Sequence, residues 1–449
     1  MKSEKTNARR DFIKQSLITA AGITIIPGFV FGKDGTPSLT KEALNIISAG
    51  QTGMKTVAFI CNIYRDRSHA DALGTALFLG MSTDEGIVAP QFKIVSVFID
   101  QIGANDTGVR IAKMNGATMY PTIAGALTLG GDKLAVDAVV YVGEHGKYPE
   151  NRFGEVMYPR MNFLEQIFRV FDASNKSVPL FTDKHLSYSW LDSMWIYERA
   201  KELNVPMMAG SSLPVGWRDP ALEHPLGTKI TEAVAIGYST LESYGFHVSE
   251  MLQCMLERRA GGETGIASII GLEGDDVWAA IDSGKISQKL VDAACDNFKK
   301  KPVGPMREVV KKPYAILVQY RDGTKGAVMI LHEYKDWAYA ANANGKIVST
   351  KFILDGSKNL AHFSYLGLNI QKMIVSGKPT APIERNLFTS CILDLGIRSM
   401  AEGGKPIKTP FLNIKYSASG YEPIRSAYLE PTKARTNPFP PKGYEFIVR

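Results

Sequence analysis

From Thr56 onward, short, mostly apolar runs alternate with longer stretches that are apolar only at every third or fourth position. Runs of four to eight apolar residues have the length of buried strands, and the longer spacing is that of amphipathic helices. Thr56–Cys61, Phe92–Ile99, Thr118–Met119, Ala138–Val142, Val178–Phe181 and Val205–Ala209 are therefore read as strands. Between them, Ala70–Gly80, Asp106–Asn115, Thr122–Leu129, Met161–Ala173 and Trp190–Leu203 are read as helices, the fourth with Phe163, Ile167, Phe168 and Phe171 on one stripe. Alternation at these lengths implies a parallel, doubly wound sheet.

Beyond Ser211 the rhythm changes. Lys229–Tyr238 reads as a strand and Leu241–Arg259 as a helix closed by Gly261-Gly262. Tyr314–Tyr320 and Ala327–His332 flank a turn at Arg321–Thr324, and Trp337–Ala340 and Ile347–Ile353 flank a second at Asn342–Gly345. The expected architecture is thus a Rossmann-like parallel sheet over 55–210, followed by an α+β domain with a mainly antiparallel open sheet over 211–420. Residues 33–54, with a short helix at Thr40–Ser48, form a linker, and the Pro-rich 421–449 an extended arm.

At 449 residues the chain exceeds one ordinary core, and 45% hydrophobic with 22% charged residues is the balance of a soluble enzyme. Most of the net charge of +7 lies before Asp34, where six basic residues face two acidic ones. The remainder gives no case for nucleic-acid binding. Asn7–Lys14 pairs Arg9-Arg10 with Phe12-Ile13-Lys14, and Leu17–Phe31 is then apolar apart from small residues, Thr19 and Thr24. Residues 1–32 resemble a twin-arginine leader. That implies export of a folded protein to the periplasm, with retention as a membrane tether facing the periplasm as the other outcome. Cys61, Cys254, Cys295 and Cys391 make no C-x-x-C pair and are expected to be buried thiols.

The polar clusters all follow strands. Strand ends fall at Cys61, Asp100, Gly143, Asp183 and Gly210, and Glu144-His145 and Asp183-Lys184-His185 stand directly there. Open α/β sheets bind ligands at that carboxyl edge. Glu144, His145, Asp183, His185, His247 and Glu250 include the donor types of a divalent-metal site, but no tight H-x-x-x-H pair accompanies them. They are read as hydrogen-bond partners in a polar pocket rather than as a metal centre. His247 and Glu250, three apart on one helix, share a face, so Glu250 is expected to orient the imidazole. Trp217 is read either as a platform for a sugar face or as a domain-interface aromatic. Arg258 and Arg259 are read as cations at a helix C-terminus.

VPLFTDKHLS around Lys184 is similar to the Glu-Lys-Pro strand motif of the glucose–fructose oxidoreductase and inositol dehydrogenase (Gfo/Idh/MocA) family, with Asp183 for Glu and His185 for Pro. AKELNVPMMAGSSL matches the segment that follows, and Ser243–Glu250 falls on the family's D-x-G-x-H-x-x-D, with Ser243 in place of its Asp. The resemblance implies a Rossmann half joined to an antiparallel half, an NAD(P) cofactor, a carbohydrate substrate and a homo-oligomer. It assigns Lys184 to a substrate hydroxyl or carbonyl and His247 to the acid/base step, and places Asn62, Arg65 and Asp100 against the dinucleotide, Asp100 on a ribose diol. Cys61 and Ile63 stand where the dinucleotide fingerprint has glycines, so Arg65 and Arg67 would meet phosphate by charge. The expected function is hydride transfer between nicotinamide and a sugar, polyol or glycoside. The alternatives are non-redox lyase or isomerase chemistry on a keto-sugar without a dinucleotide, with or without a metal, and non-catalytic carbohydrate binding.

Overall fold

The computed structural model describes residues 53–84, 86–354, 360–418 and Tyr444, together with two backbone strands, Phe29–Phe31 and Pro37–Leu39. Contacts divide the chain into residues 1–54 and 55–449. In the first unit the two short strands pair antiparallel. The rest of the segment expected to be a leader, the helix expected at Thr40–Ser48 and, apart from Tyr444, the expected C-terminal arm lie outside the described residues.

Six strands of the second unit form one wholly parallel sheet: β1 (Lys55–Cys61), β2 (Phe92–Ile99), β3 (Thr118–Met119), β4 (Ala138–Val142), β5 (Leu180–Asp183) and β6 (Met207–Gly210). Their spatial order is β6-β5-β4-β1-β2-β3, the Rossmann order. Connections turn back between β1 and β4, which opens a crevice at the carboxyl ends of those strands. β4 is fully buried along its length, the burial its unbroken apolar run anticipates.

The second sheet holds β7 (Trp217–Asp219), β8 (Ile230–Gly237), β9 (Ile266–Glu273), β10 (Tyr314–Tyr320), β11 (Lys325–Ile330), β12 (Trp337–Ala343), β13 (Lys346–Ile353) and β14 (Ile407–Lys408). Its order is β7-β13-β12-β8-β11-β10-β9-β14, antiparallel except where β8 meets β11. This is the two-sheet architecture expected from the family resemblance.

The helices follow the same strand alternation. α1 (Thr75–Leu79), α2 (Gly108–Met114), α3 (Ile123–Thr128), α4 (Arg160–Ser174) and α5 (Trp190–Glu202) belong to the first half, and α6 (Leu241–Leu256) opens the second. α7 (Asp275–Asp282), α8 (Gln288–Cys295), α9 (Met306–Val309), α10 (Ala361–Ser376) and α11 (Ile383–Ala401) complete the described set. Along β8, Ala233 and Ala235 join the core that α6 and α11 share, while Val234 and Ile236 join Val277, Leu290 and Val291 of α7 and α8. Period-two alternation thus covers both faces of the sheet. α7 and α8 pack over β8 and β12 on the face opposite α6 and α11.

Three local departures from the sequence reading matter for the site. Val178 and Pro179 precede β5 rather than begin it: the Pro179 carbonyl accepts from Val139, and the ladder runs on to Asp183. Asp183 is therefore inside the sheet edge and fully buried. The single helix expected over Ala70–Gly80 is a π-helical turn, Ala70–Gly74, that passes into α1. A short hairpin, Met81–Thr83 with Gly86–Val88, follows it and is held to α10 by Ser82 N–H donating to Ser364 Oγ.

Candidate active site

The chain after β5 is turned sharply by Lys184, whose φ of +59° is costly for a residue with a Cβ. The turn is held from two sides. Lys184 N–H donates to Gly210 O at 3.1 Å, and Asn386 Nδ2 of α11 donates to Lys184 O at 2.8 Å. His145, after β4, adopts a φ of +64°, and Asn62 Nδ2 donates to its carbonyl at 3.3 Å. Two strand ends are thereby bent to aim charged side chains into one crevice.

At its floor Glu144 lies between two cations. Lys184 Nζ donates to Oε1 at 2.9 Å and Arg160 Nη2 to Oε2 at 2.8 Å, all three side chains being buried. Burial opposes ionisation of Glu144, but Lys184 and Arg160 outweigh it and hold the carboxyl well below its usual range. Arg160 also donates Nη1 to the carbonyls of Asp183 (2.6 Å) and His185 (3.0 Å), so it ties both strand ends together. The sequence reading missed Arg160. Its signal is position: it lies three, four and seven residues before Phe163, Leu164 and Ile167, on the buried stripe of α4.

A second unforeseen group is His69, the last residue of the loop after β1. Its Nδ1 lies 2.7 Å from Asp183 Oδ2, and its ring meets His145 at 5.3 Å and Phe363 of α10 at 5.2 Å. Three histidines beside it are held neutral. Burial, then the charge of His69, brings His145 down to about 4. Burial and Arg160 depress His185, and burial, Lys184 and His69 depress His247. Lys184, His69 and His247 keep 8%, 18% and 13% of their side chains exposed, which marks the accessible part of the cluster.

His247, on α6, is not oriented by Glu250 directly. Their nearest atoms are 3.9 Å apart, and Ser211, just after β6, stands between them. His247 Nδ1 lies 3.0 Å from Ser211 Oγ, which is hydrogen-bonded to Glu250 Oε2; Ser211 N–H donates to Oε1 at 3.0 Å. Burial, against the hydrogen bonds from Ser211, pushes the Glu250 carboxyl up to about 7. Tyr244 and Trp337 stack on each other at 5.2 Å and present their rings to His247 at 5.9 Å.

The residues expected to meet a dinucleotide are arranged differently. Asn62 is fully buried and spent on the loop. Asp100 accepts from Tyr148 Oη at 2.7 Å, and the backbone of Arg65 bridges to Asp106. At the start of the π-helical turn, Ser68 Oγ accepts from the N–H groups of Arg65 and Asp71, and buried Asp71 accepts from Arg67 N–H at 3.0 Å and Thr75 Oγ1 at 3.0 Å. Groups that a glycine loop would offer to phosphate are thus used internally. Tyr64 fills the space beneath, with glycines displaced to its neighbours: a Cβ on Gly108 would lie 2.5 Å from Tyr64 Cγ. In place of a backbone cradle, the loop region offers the Asp100 carboxylate, already bonded by Tyr148, and the guanidinium groups of Arg65 and Arg67, the former donating to Asp66 O at 3.1 Å.

Elsewhere the structure resolves the remaining candidates. Trp217 is buried, edge-on to Tyr365 of α10 at 5.2 Å, as an interface aromatic. Arg259, just beyond the C-terminus of α6, is buried and doubly bonded to Glu263 at 2.9 Å and 2.9 Å. The four cysteines are free and buried. Among the described residues, no three of His, Cys, Asp and Glu form a group that could hold a metal ion. Asp183, Glu144 and Glu250 are instead engaged by His69, by two cations and by Ser211.

No protein-family model matches the chain, and no curated protein matches it in sequence. Solved structures do resemble it. GenD2 from gentamicin A biosynthesis, in complex with NAD, aligns with a TM-score of 0.50 at 13% identity over 80% of this chain and 97% of its own. A myo-inositol dehydrogenase from Corynebacterium glutamicum aligns with a TM-score of 0.48 at 11% identity, over 79% of this chain and 98% of its own. A putative myo-inositol dehydrogenase from Sinorhizobium meliloti gives 0.48 at 11%, over 79% and 99%. At such identity the likeness is one of fold, and the fold is that of GenD2: a parallel Rossmann sheet joined to a mostly antiparallel second sheet.

Proposed function

We propose that the protein is an exported oxidoreductase that acts on a sugar, polyol or glycoside in the crevice between Lys184 and His247, with NAD(P) as its partner in hydride transfer. The observation that carries this reading is the presence of a buried ammonium, after β5, and a neutral imidazole, held by Ser211 after β6, at the carboxyl edge of a Rossmann-ordered sheet. A hydroxyl-rich substrate is favoured by three buried polar atoms without a partner among the described residues: Asp183 Oδ1, His145 Nδ1 and His185 Nδ1.

Alcohol oxidation needs a base at the O–H and positive charge at the developing alkoxide. His247, uncharged, is available as the base. Lys184, already desolvated and fixed by Glu144, steadies the oxyanion without reorganising. Bound NAD(P) would accept the hydride, held by Asp100 with Tyr148 at the ribose and by Arg65 and Arg67 at the phosphates. Thermal-shift titration with NAD+ and NADP+, together with turnover of a sugar and polyol panel, tests the reading. Lys184→Ala and His247→Ala should each lower kcat/KM by about 10²–10⁴-fold, and unchanged turnover in either would refute it.

A second reading is favoured by Asp71, which places a carboxylate and spent N–H groups where phosphate would sit. It is non-redox proton transfer on a keto-sugar, as a lyase or isomerase, with His69–Asp183 and His247 as the two acid/base groups. Turnover of a keto-sugar with no nicotinamide dependence would select it.

A further inference from the structure

We infer that Glu250, Ser211 and His247 form a proton relay in which the buried imidazole changes tautomer instead of becoming charged. The inference rests on His247 as the group that exchanges a proton with substrate, and it holds for either reading above.

The geometry is a line of three groups from three parts of the chain. Ser211 Oγ contacts both His247 Nδ1 (3.0 Å) and Glu250 Oε2. A hydroxyl carries one hydrogen and accepts through its lone pairs, so these two bonds must have opposite sense. With Glu250 ionised, Ser211 donates to the carboxylate and accepts from Nδ1–H, leaving Nε2 unprotonated as a base. With Glu250 protonated, the acid donates to Ser211, Ser211 donates to Nδ1, and the proton of the ring sits on Nε2. Among the described residues the hydrogen bond of the ring is at Nδ1, and 13% of the side chain remains exposed. Nε2 is therefore the nitrogen left for substrate.

Three proton transfers connect the two states. The substrate hydroxyl proton bonds to Nε2, the Nδ1 proton passes to Ser211 Oγ, and the Ser211 proton passes to Glu250 Oε2. The imidazole and the serine end neutral, and the substrate proton is replaced by one on the carboxyl. The surroundings require such a route, because Lys184 after β5, His69 of the first loop, Glu144 after β4 and His185 all face His247, and burial with Lys184 opposes an imidazolium there. Glu250 in turn faces Asp183 of β5 and Arg385 of α11 besides Ser211. Its carboxyl is raised to about 7, which suits a proton acceptor at neutral pH. Glu250 and Ser211 also line a cavity of about 40 Å³ with Arg218, Glu257 and Arg385, room for about one water beside the carboxyl. Glu250 and Ser211 are thus positioning residues.

Nuclear magnetic resonance of ring-labelled histidine in the full-length protein, without substrate, tests the relay independently of activity. His247 should stay neutral from pH 5.5 to 8.5 and pass from the Nε2–H to the Nδ1–H tautomer with a midpoint near 7. Glu250→Gln, whose amide donates to Ser211 as the protonated acid does, should fix the Nε2–H tautomer at every pH. Ser211→Ala should abolish the transition. An imidazolium in this range, a tautomer that ignores pH in the unmodified protein, or a transition that survives Ser211→Ala would overturn the relay. If the tautomer behaves as described while His247→Ala leaves turnover intact, the relay stands and the proposed function falls.

Discussion

Replacing Glu144 by Gln should destabilise the protein more than replacing its partner Lys184, and a second substitution should restore part of the loss. Glu144 carries one negative charge against two positive ones, Lys184 at 2.9 Å and Arg160 at 2.8 Å, with almost no water at any of the three. At an effective dielectric constant near 20, each contact is worth about 6 kcal/mol of gross Coulomb energy. Most of that offsets the cost of taking the ions out of water, so the informative quantity is what each deletion leaves behind. Lys184→Met leaves Glu144 and Arg160 as a neutral pair and should cost about 1–2 kcal/mol. Glu144→Gln leaves two buried cations facing an amide, and removal of the compensating charge in such a site costs about 3–5 kcal/mol.

Urea unfolding of the single variants and of Glu144→Gln/Lys184→Met would measure this as a double-mutant cycle. The double variant keeps one cation, Arg160, still bonded to the carbonyls of Asp183 and His185. It should therefore be more stable than Glu144→Gln alone, by about 1–3 kcal/mol. If the two losses simply add, Glu144 does not act as the shared counter-charge of the floor and the electrostatic account fails.

Two further outcomes follow from other parts of the structure. The Glu250 carboxyl is raised from 4.5 to about 7 in the folded state. The folded state therefore binds more protons between those values, and stability from this group is lost as pH rises through that window. Relative to Glu250→Gln, the unmodified protein should lose roughly 3 kcal/mol between pH 4.5 and 8, and parallel stability curves would contradict the shift. Gly271 of β9 lies against α11, where an added Cβ would come 1.9 Å from Gly396 O. Gly271→Ala should cost at least about 1–3 kcal/mol by lifting the helix from the sheet, and an unchanged melting temperature would show that this contact yields.

The parallel sheet is readable because its strands are short, mostly apolar runs with polar residues directly after them. β2, β3 and β4 begin and end at the residues the pattern indicates. β5 is displaced because Pro179 cannot donate to the ladder, a backbone property that an apolar count ignores. In the second half β9 and the helices beyond α6 are not located by pattern, since their order in space departs far from their order in sequence. In the site, Glu144 and Lys184 are legible as polar residues directly after strands, and His247, inside α6, through the family motif it falls on. Their partners are less so: His69 and Asp183 are 114 residues apart, and Ser211 and His247 are 36 apart. Contacts of that kind are made by topology. Arg160 is the exception, because a cation on an apolar stripe requires a buried counter-charge.

These partners explain how so many basic side chains coexist in one crevice. Were His145, His185 and His247 charged alongside Lys184 and Arg160, Glu144 and Asp183 could not balance them. Burial and the fixed cations instead keep these three imidazoles neutral, so positive charge is concentrated on Lys184, where an oxyanion would form. A neutral imidazole that cannot hold an added proton is a poor terminal base. The cluster therefore needs a sink for protons outside the field of Lys184. Glu250, reached through Ser211 and lying on the far side of it from His247, is placed to be that sink. The same burial that disarms the histidines as cations prepares Glu250 to accept a proton near neutral pH, so the charge on the lysine and the basicity of the relay are two consequences of one dry environment.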